Sequence, residues 1–260
     1  MKKITIKSLQ KKKNKQSITC LTSYSKNIAE ILDKHCDIIL VGDSVGMVLY
    51  GMKNTKQVTL STMLAHAKSV RLGAKKSLVV VDMPFKTYSN KFIAYANAKK
   101  VVKITKCDAV KLEGGKSISS TVSYLVKKGI PVMGHIGLLP QSSSTFRVRG
   151  KNIFERKRIL EDAIEISKAG AFAVVIECVV EKLAKQITKK ISIPTIGIGA
   201  SKYCDGQVLV IDDMIGLSTF HPKFVKQYSK VRVIIDRSVK RYCKDVRSKR
   251  FPSTNNVYKN

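Results

Sequence analysis

Leu78-Val79-Val80-Val81-Asp82 sets four apolar residues in a row without a polar gap and closes them with an acid. A strand with one wet face alternates apolar and polar side chains. A strand buried on both faces does not, and reads as a continuous Val/Ile/Leu run. This stretch therefore predicts a strand of a parallel sheet. Working outward, the same kind of run recurs at Ile18–Ser23, Ile38–Asp43, Ala109–Glu113, Pro131–His135, Phe172–Glu177, Ile193–Ile198 and Val208–Ile211, eight in all.

Longer amphipathic segments separate the runs: Ser25–His35, Leu60–Leu72, Ser89–Thr105, Ser117–Lys128, Phe154–Ala169 and Glu181–Lys190. Gly73, Gly129 and Gly170 stand where three of them stop, as glycine does at helix C-termini. The gap Ala200–Gly206 is too short for a full helix. The basic tail beyond Pro222 reads as one or two helices, and Pro252 to Asn260 as a polar end. Eight strands with intervening helices predict an α/β fold, the (β/α)8 TIM barrel. A doubly wound open sheet is the competing architecture. No Gly-x-Gly-x-x-Gly follows the first run, which counts against it, and Gly197-Ile198-Gly199-Ala200 reads as a tight strand-exit turn. No repeat or shift of composition marks a second domain. Residues 1–260 read as one barrel domain with a short N-terminal helix and a basic C-terminal helical tail.

A chain of 260 residues is a usual size for such a barrel. It has no apolar stretch of about 18 residues, the length that spans a membrane. Met1 to Ser17 is basic and lacks the apolar core of a secretory signal, so a cytoplasmic protein is expected. Cys20, Cys36, Cys107, Cys178, Cys204 and Cys243 form no Cys-x-x-Cys pair and no zinc-ligand spacing with the four histidines; they read as free thiols. Forty-nine basic residues against 18 acidic ones give a net charge of +31. A polyanion partner is one reading of that charge. Yet the basic residues are mostly lysine, run from Lys2 to Lys259, and lack the interleaved aromatics of a base-stacking surface. The densest stretch is Lys223 to Arg250. No specific nucleic acid and no membrane is expected as a partner.

Acids are scarce, and four occupy equivalent places. Asp43, Asp82, Glu113 and Glu177 close the second, third, fourth and sixth runs. C-terminal strand ends of a barrel point into one mouth, where active sites are built. Like charges gathered there persist when a cation sits among them or one is held neutral. Asp43, Asp82 and Glu113, without a histidine or thiolate cluster, suit a hard cation such as Mg2+. A strand-end acid taken singly reads as a helix cap or turn; four together read as a site. Lys111 lies two residues before Glu113, so both face the same way, and its ammonium could hold a substrate carboxylate. His135 ends the fifth run and is a candidate for the pocket, with a satisfied core histidine as the alternative.

Those strand ends are also recognisable as sequence words. Val41-Gly42-Asp43-Ser44-Val45-Gly46, Asp82-Met83-Pro84-Phe85, Val110-Lys111-Leu112-Glu113-Gly114-Gly115, Gly134-His135-Ile136-Gly137-Leu138-Leu139-Pro140-Gln141-Ser142, Glu177-Cys178-Val179, Ile196-Gly197-Ile198-Gly199-Ala200, Asp205-Gly206-Gln207 and Pro222-Lys223-Phe224 resemble the 3-methyl-2-oxobutanoate (ketopantoate) hydroxymethyltransferase family, in its order and with near-family spacing from Thr5 to Tyr228. The resemblance implies a barrel of the phosphoenolpyruvate mutase/isocitrate lyase superfamily. It implies transfer of a one-carbon unit from 5,10-methylenetetrahydrofolate to 3-methyl-2-oxobutanoate, giving 2-dehydropantoate for pantothenate and coenzyme A biosynthesis. Mg2+ and a homo-oligomer, often a decamer, are implied as well.

By matched motif, the resemblance makes Asp43 and Asp82 metal ligands, with Glu113 completing the shell directly or through water. It makes Ser44, Lys111, Asp43 and Asp82 substrate contacts, and Glu177 the proton acceptor. Val175, Ile176 and Cys178 give Glu177 apolar neighbours in sequence, surroundings that suit a base. A 2-oxo acid can chelate Mg2+ through its carbonyl and carboxylate oxygens, which stabilises an enolate at C3. The chain departs from the family pattern in a shorter loop from Ser143 to Asn152, carrying Arg147 and Arg149, and at Ser201, where the family often has glycine. The rival readings are another Mg2+-dependent 2-oxo acid lyase of the same superfamily and a basic nucleic-acid-binding protein. The lyases carry a catalytic cysteine in a Lys-Lys-Cys-Gly-His type loop, which this sequence lacks.

Overall fold

The computed structural model describes residues 3–143, 145–219 and 222–258. Internal packing divides the chain into two compact units, 1–210 and 211–260, each described by itself. In the first unit, β1 (Ile18–Thr22), β2 (Ile38–Val41), β3 (Leu78–Asp82), β4 (Ala109–Glu113), β5 (Val132–Gly137), β6 (Ala173–Glu177), β7 (Thr195–Ile198) and β8 (Gly206–Leu209) form a closed parallel barrel in sequence order. Its helices are α1 (Ile6–Gln10), α2 (Lys26–Leu32), α3 (Val45–Val48), α4 (Leu60–Gly73), α5 (Lys91–Thr105), α6 (Ser119–Lys127), α7 (Ile153–Lys168) and α8 (Glu181–Lys190). The expected (β/α)8 barrel is the fold found, and no helix separates β7 from β8.

Caps fix where the long helices begin. The side chain of Thr59 accepts from Thr62 N–H ahead of α4, that of Asn90 from Phe92 and Ile93 N–H ahead of α5, and that of Asn152 from Glu155 N–H ahead of α7. Each satisfies donors that the first helical turn leaves free. One strand differs from expectation: β8 begins at Gly206, two residues before the apolar run at Val208. Gly206 and Gln207 lack strand-forming side chains, but Gly206 pairs with Ile18 of β1 and Ile196 of β7, so sheet closure overrides local preference.

β2, β3 and β4 are buried along their whole length, as continuous apolar runs require. Alternate residues face inward. Ile18, Cys20, Ile38, Leu40, Leu78, Val80, Ala109, Met133, Ala173, Val175, Ile196 and Val208 form one interior cluster with Leu9 of α1. Continuing that two-residue period toward the strand ends reaches Asp82 from Val80, Lys111 and Glu113 from Ala109, His135 from Met133 and Glu177 from Val175. The inward rows thus begin apolar and end in the charged residues of the barrel mouth.

The opposite end is closed by the N-terminal segment. Ile4 N–H donates to Lys76 O, 2.8 Å, just ahead of β3. Asp205 accepts from Asn14 N–H, Lys13 Nζ and Thr195 N–H, each at 2.9 Å. The Asp205-Gly206-Gln207 word therefore has a structural use, tying α1 and its turn to β7 and β8.

The second unit holds α9 (Ile211–Met214) and α10 (Val231–Arg247). No residue of α10 is buried, and one of its faces carries Arg237, Lys240, Lys244 and Arg247. Among the described residues, no helix is long and apolar enough to cross a membrane, and all six cysteines are free thiols.

Candidate active site

Strand register brings the mouth residues together in pairs. Asp82 and Lys111 are register partners on β3 and β4, and Glu113 and His135 on β4 and β5. Lys111 Nζ donates to Asp82 Oδ1 at 2.6 Å. Asp43 follows β2 by two residues, and its backbone N–H donates to Asp82 Oδ2 at 3.1 Å. Gly42 leaves room for the Ser44 hydroxyl: a Cβ there would stand 2.9 Å from Ser44 Oγ. Ser44 Oγ shares a 2.8 Å hydrogen bond with the hydroxyl of Tyr24.

His135 lies between two carboxylates, with Nδ1 3.5 Å from Glu113 Oε1 and Nε2 3.2 Å from Glu177 Oε2. Neither approach has hydrogen-bond geometry. The contact is Coulombic, and it gives Glu177 a polar neighbour where its flanking residues suggest an apolar one. The reason is the register: His135 pairs with Val175 and reaches the next inward residue of β6, Glu177.

Seven sequence-derived site residues are thus gathered at one mouth. Asp43, Asp82, Lys111, Glu113 and His135 are each no more than 5% exposed, and the Glu177 side chain is 16% exposed. Among the described residues, no three Asp, Glu, His or Cys side chains close around one point as a cage. Asp82 is turned to Lys111, and Glu113 Oε2 accepts from Gln141 N–H at 3.0 Å.

Each of these charges acts on its neighbours. Burial, with the nearby charges of Asp82 and Glu113, pushes the Asp43 carboxyl well above the usual range. Burial acts on Glu113 in the same direction, but His135, Lys111 and the Gln141 N–H outweigh it and hold Glu113 low. Burial and Lys111 oppose charge on His135; Glu113 and Glu177 overcome them and lift the ring to about 9. Lys111 is disfavoured as a cation by burial, yet Asp82, Glu113 and Asp43 raise it above its ordinary value.

Cys178 stands beside Glu177 with a left-handed backbone, φ 49°. Burial and the Glu177 charge push its thiol up to about 11, so it is protonated at neutral pH and a poor nucleophile. Arg147 and Arg149, in the loop before α7, are engaged by the buried Glu155, at 3.2 and 3.7 Å.

The chain is similar to known proteins along nearly its whole length. The family model described as ketopantoate hydroxymethyltransferase matches residues 3–254. The chain belongs to the ketopantoate hydroxymethyltransferase family. The 3-methyl-2-oxobutanoate hydroxymethyltransferase of Pelagibacter ubique (strain HTCC1062) is 55% identical over 248 residues, covering 95% of this chain and 96% of that protein. The enzyme of the same name from Phenylobacterium zucineum (strain HLK1) is 49% identical, covering 99% and 95%. Membership in the ketopantoate hydroxymethyltransferase family and these shared names support a hydroxymethyltransferase activity. Among solved structures, phosphonopyruvate hydrolase superposes with a TM-score of 0.64 at 9% identity, covering 100% of this chain and 92% of that one. 2,3-Dimethylmalate lyase, a member of the phosphoenolpyruvate mutase/isocitrate lyase superfamily, superposes with a TM-score of 0.59 at 13% identity, covering 80% and 78%. At such identities the likeness is one of fold alone.

Two residues of the site carry no role in the sequence reading. Gln141 is 1% exposed; its amide donates to Asp43 Oδ2 at 2.8 Å and to Met83 O at 3.0 Å. Tyr88 donates to Gln141 Oε1 at 2.5 Å. Both lie in loops beyond strand ends, where no periodicity marks a side chain as inward-facing. The one signal in the sequence is Gln141's place at the end of the Gly134–Ser142 word.

Proposed function

We propose that the chain transfers a one-carbon unit from 5,10-methylenetetrahydrofolate to 3-methyl-2-oxobutanoate, giving 2-dehydropantoate on the route to pantothenate and coenzyme A. Mg2+ is the cation and Glu177 the base; by family resemblance the enzyme works as a cytoplasmic homo-oligomer. The observation that carries the reading is the group of buried ionisable residues at the mouth of an otherwise apolar barrel. A buried charge cluster costs stability unless it is paired or holds a ligand.

The donor set fits a hard cation. Asp43, Asp82 and Glu113 offer oxygens only, and the burial and like charge that together lift Asp43 are what a divalent ion would offset. Asp43, Asp82 and Glu113 would hold Mg2+, Glu113 directly or through water, in keeping with the few protein ligands and retained waters usual for this ion. When bound, Mg2+ would supply Lewis-acid polarisation of the 2-oxo group.

The chain's own residues do the rest. Lys111 offers positive charge to the substrate carboxylate, and Ser44, oriented by Tyr24, offers a hydrogen bond. Glu177 takes the proton from C3, leaving the electron pair to form the new bond to the donor's methylene carbon. Both carbon–nitrogen bonds of the methylene bridge break, water supplies the hydroxyl oxygen of the product, and the proton from C3, returned by Glu177, and the one left by water end on the two nitrogens of the departing tetrahydrofolate. His135 holds positive charge against Glu177.

The test is to mix the protein with Mg2+, 3-methyl-2-oxobutanoate and methylenetetrahydrofolate and follow 2-dehydropantoate. Turnover that a chelator abolishes and Mg2+ restores is expected. A protein that makes no product, or an Asp43→Ala/Asp82→Ala variant with unchanged metal affinity, would contradict the reading.

A further inference from the structure

Gln141 is a neutral side chain buried among acids, with every polar group engaged. Its amide nitrogen donates to Asp43 Oδ2 and Met83 O, its amide oxygen accepts from Tyr88, and its backbone N–H donates to Glu113 Oε2. The amide orientation is fixed by chemistry. Met83 O can only accept, so the atom facing it is the nitrogen, and Tyr88 then donates to the oxygen.

We propose that Gln141 is a positioning residue for the reaction, holding Asp43 and Glu113 in register across the mouth, with Tyr88 locking its amide. The proposal rests on the cation reading above. An amide suits this place where other side chains do not. A glutamate would add a further carboxylate beside Asp43. A lysine would neutralise Asp43 and compete with the cation. An apolar residue would leave Asp43 Oδ2 and Met83 O without a donor. Three chain segments meet at this residue: the turn after β2 through Asp43, the loop after β3 through Met83 and Tyr88, and the end of β4 through Glu113. A carboxylate that holds a cation depends on such hydrogen bonds for its direction, and losing them weakens metal affinity about 10- to 100-fold.

Two variants separate positioning from packing. Gln141→Met keeps the length of the side chain and the backbone donor to Glu113 but removes the donor to Asp43. Tyr88→Phe removes the lock on the amide, together with the longer 3.4 Å bond from the same hydroxyl to Glu113 O, and leaves the donor to Asp43 in place. The full-length proteins are titrated with Mn2+ alone, free ion being read by electron paramagnetic resonance. Folding at the assay temperature is verified by circular dichroism. We expect Mn2+ to bind Gln141→Met about tenfold more weakly and Tyr88→Phe more weakly in the same direction. KM for the 2-oxo acid should rise in both. A merely structural residue would lower thermal stability and leave the Mn2+ affinity of the folded protein alone. Wild-type Mn2+ affinity in both folded variants would overturn the proposal. If Gln141→Met does not fold, unchanged affinity in Tyr88→Phe overturns it by itself. A wild-type chain that binds no Mn2+ would instead remove the cation reading and this proposal with it.

Discussion

Lys111 Nζ stands 2.6 Å from Asp82 Oδ1, with the two side chains only 5% and 4% exposed. The pair is made by register, since β3 and β4 set these residues side by side, and by period, since each continues an inward row of the core. Removing one partner of a buried ion pair strands the other charge and costs about 3–5 kcal/mol. Lys111→Met is therefore expected to lose about 3 kcal/mol or more in urea unfolding, together with activity. A loss well below about 1 kcal/mol would show that Asp82 is solvated or paired in some other way.

At the other end of the barrel, Asp205 accepts from Lys13, Asn14 and Thr195. Burial raises its carboxyl, but these donors outweigh it and hold the folded value low. Its stabilisation is thus fully present above the unfolded value of about 3.9 and is lost as pH falls through the folded one. Asp205→Asn should cost about 2 kcal/mol at pH 7, the scale of a hydrogen-bonded charge, and the gap to wild type should close below about pH 4. Urea midpoints at pH 7, 5 and 3 measure it; a gap independent of pH would contradict the assignment.

The barrel was legible because strands buried on both faces leave unbroken runs, such as Leu78–Asp82, whose count and spacing admit few folds. Asp82, Glu113 and Glu177 were legible for a related reason: each ends a strand on the inward period. Asp43 was legible only as the acid after a run, since β2 itself stops at Val41. What the linear order hides is which strand ends touch. The contact of His135 with Glu177 depends on the register of β5 and β6, and the bonds of Gln141 and Tyr88 depend on where two loops fold back. The start of β8 was hidden because Gly206 joins the sheet through its neighbours and not through its own side chain.

The excess of positive charge is expected to be incidental to the chemistry. Lys240, Lys244 and Arg247 on α10 are exposed. Exposed substitutions of this kind usually change stability by about 0.5 kcal/mol or less. Replacing all three with glutamine should leave turnover close to wild type in a folded protein. Tight, sequence-specific retention on DNA at physiological salt, lost in that variant, would contradict this.

Glu177 is proposed as the base that removes the C3 proton. The direct measurement is exchange of that proton of 3-methyl-2-oxobutanoate into deuterated water, followed by proton magnetic resonance with Mg2+ present and no folate. Glu177→Gln, which keeps the size of the side chain, should still bind Mg2+ and the 2-oxo acid but exchange about 100-fold more slowly or worse, the scale of a lost general base. Asp43→Asn should instead weaken metal and substrate binding together. Exchange at the wild-type rate in a folded Glu177→Gln protein would contradict the account.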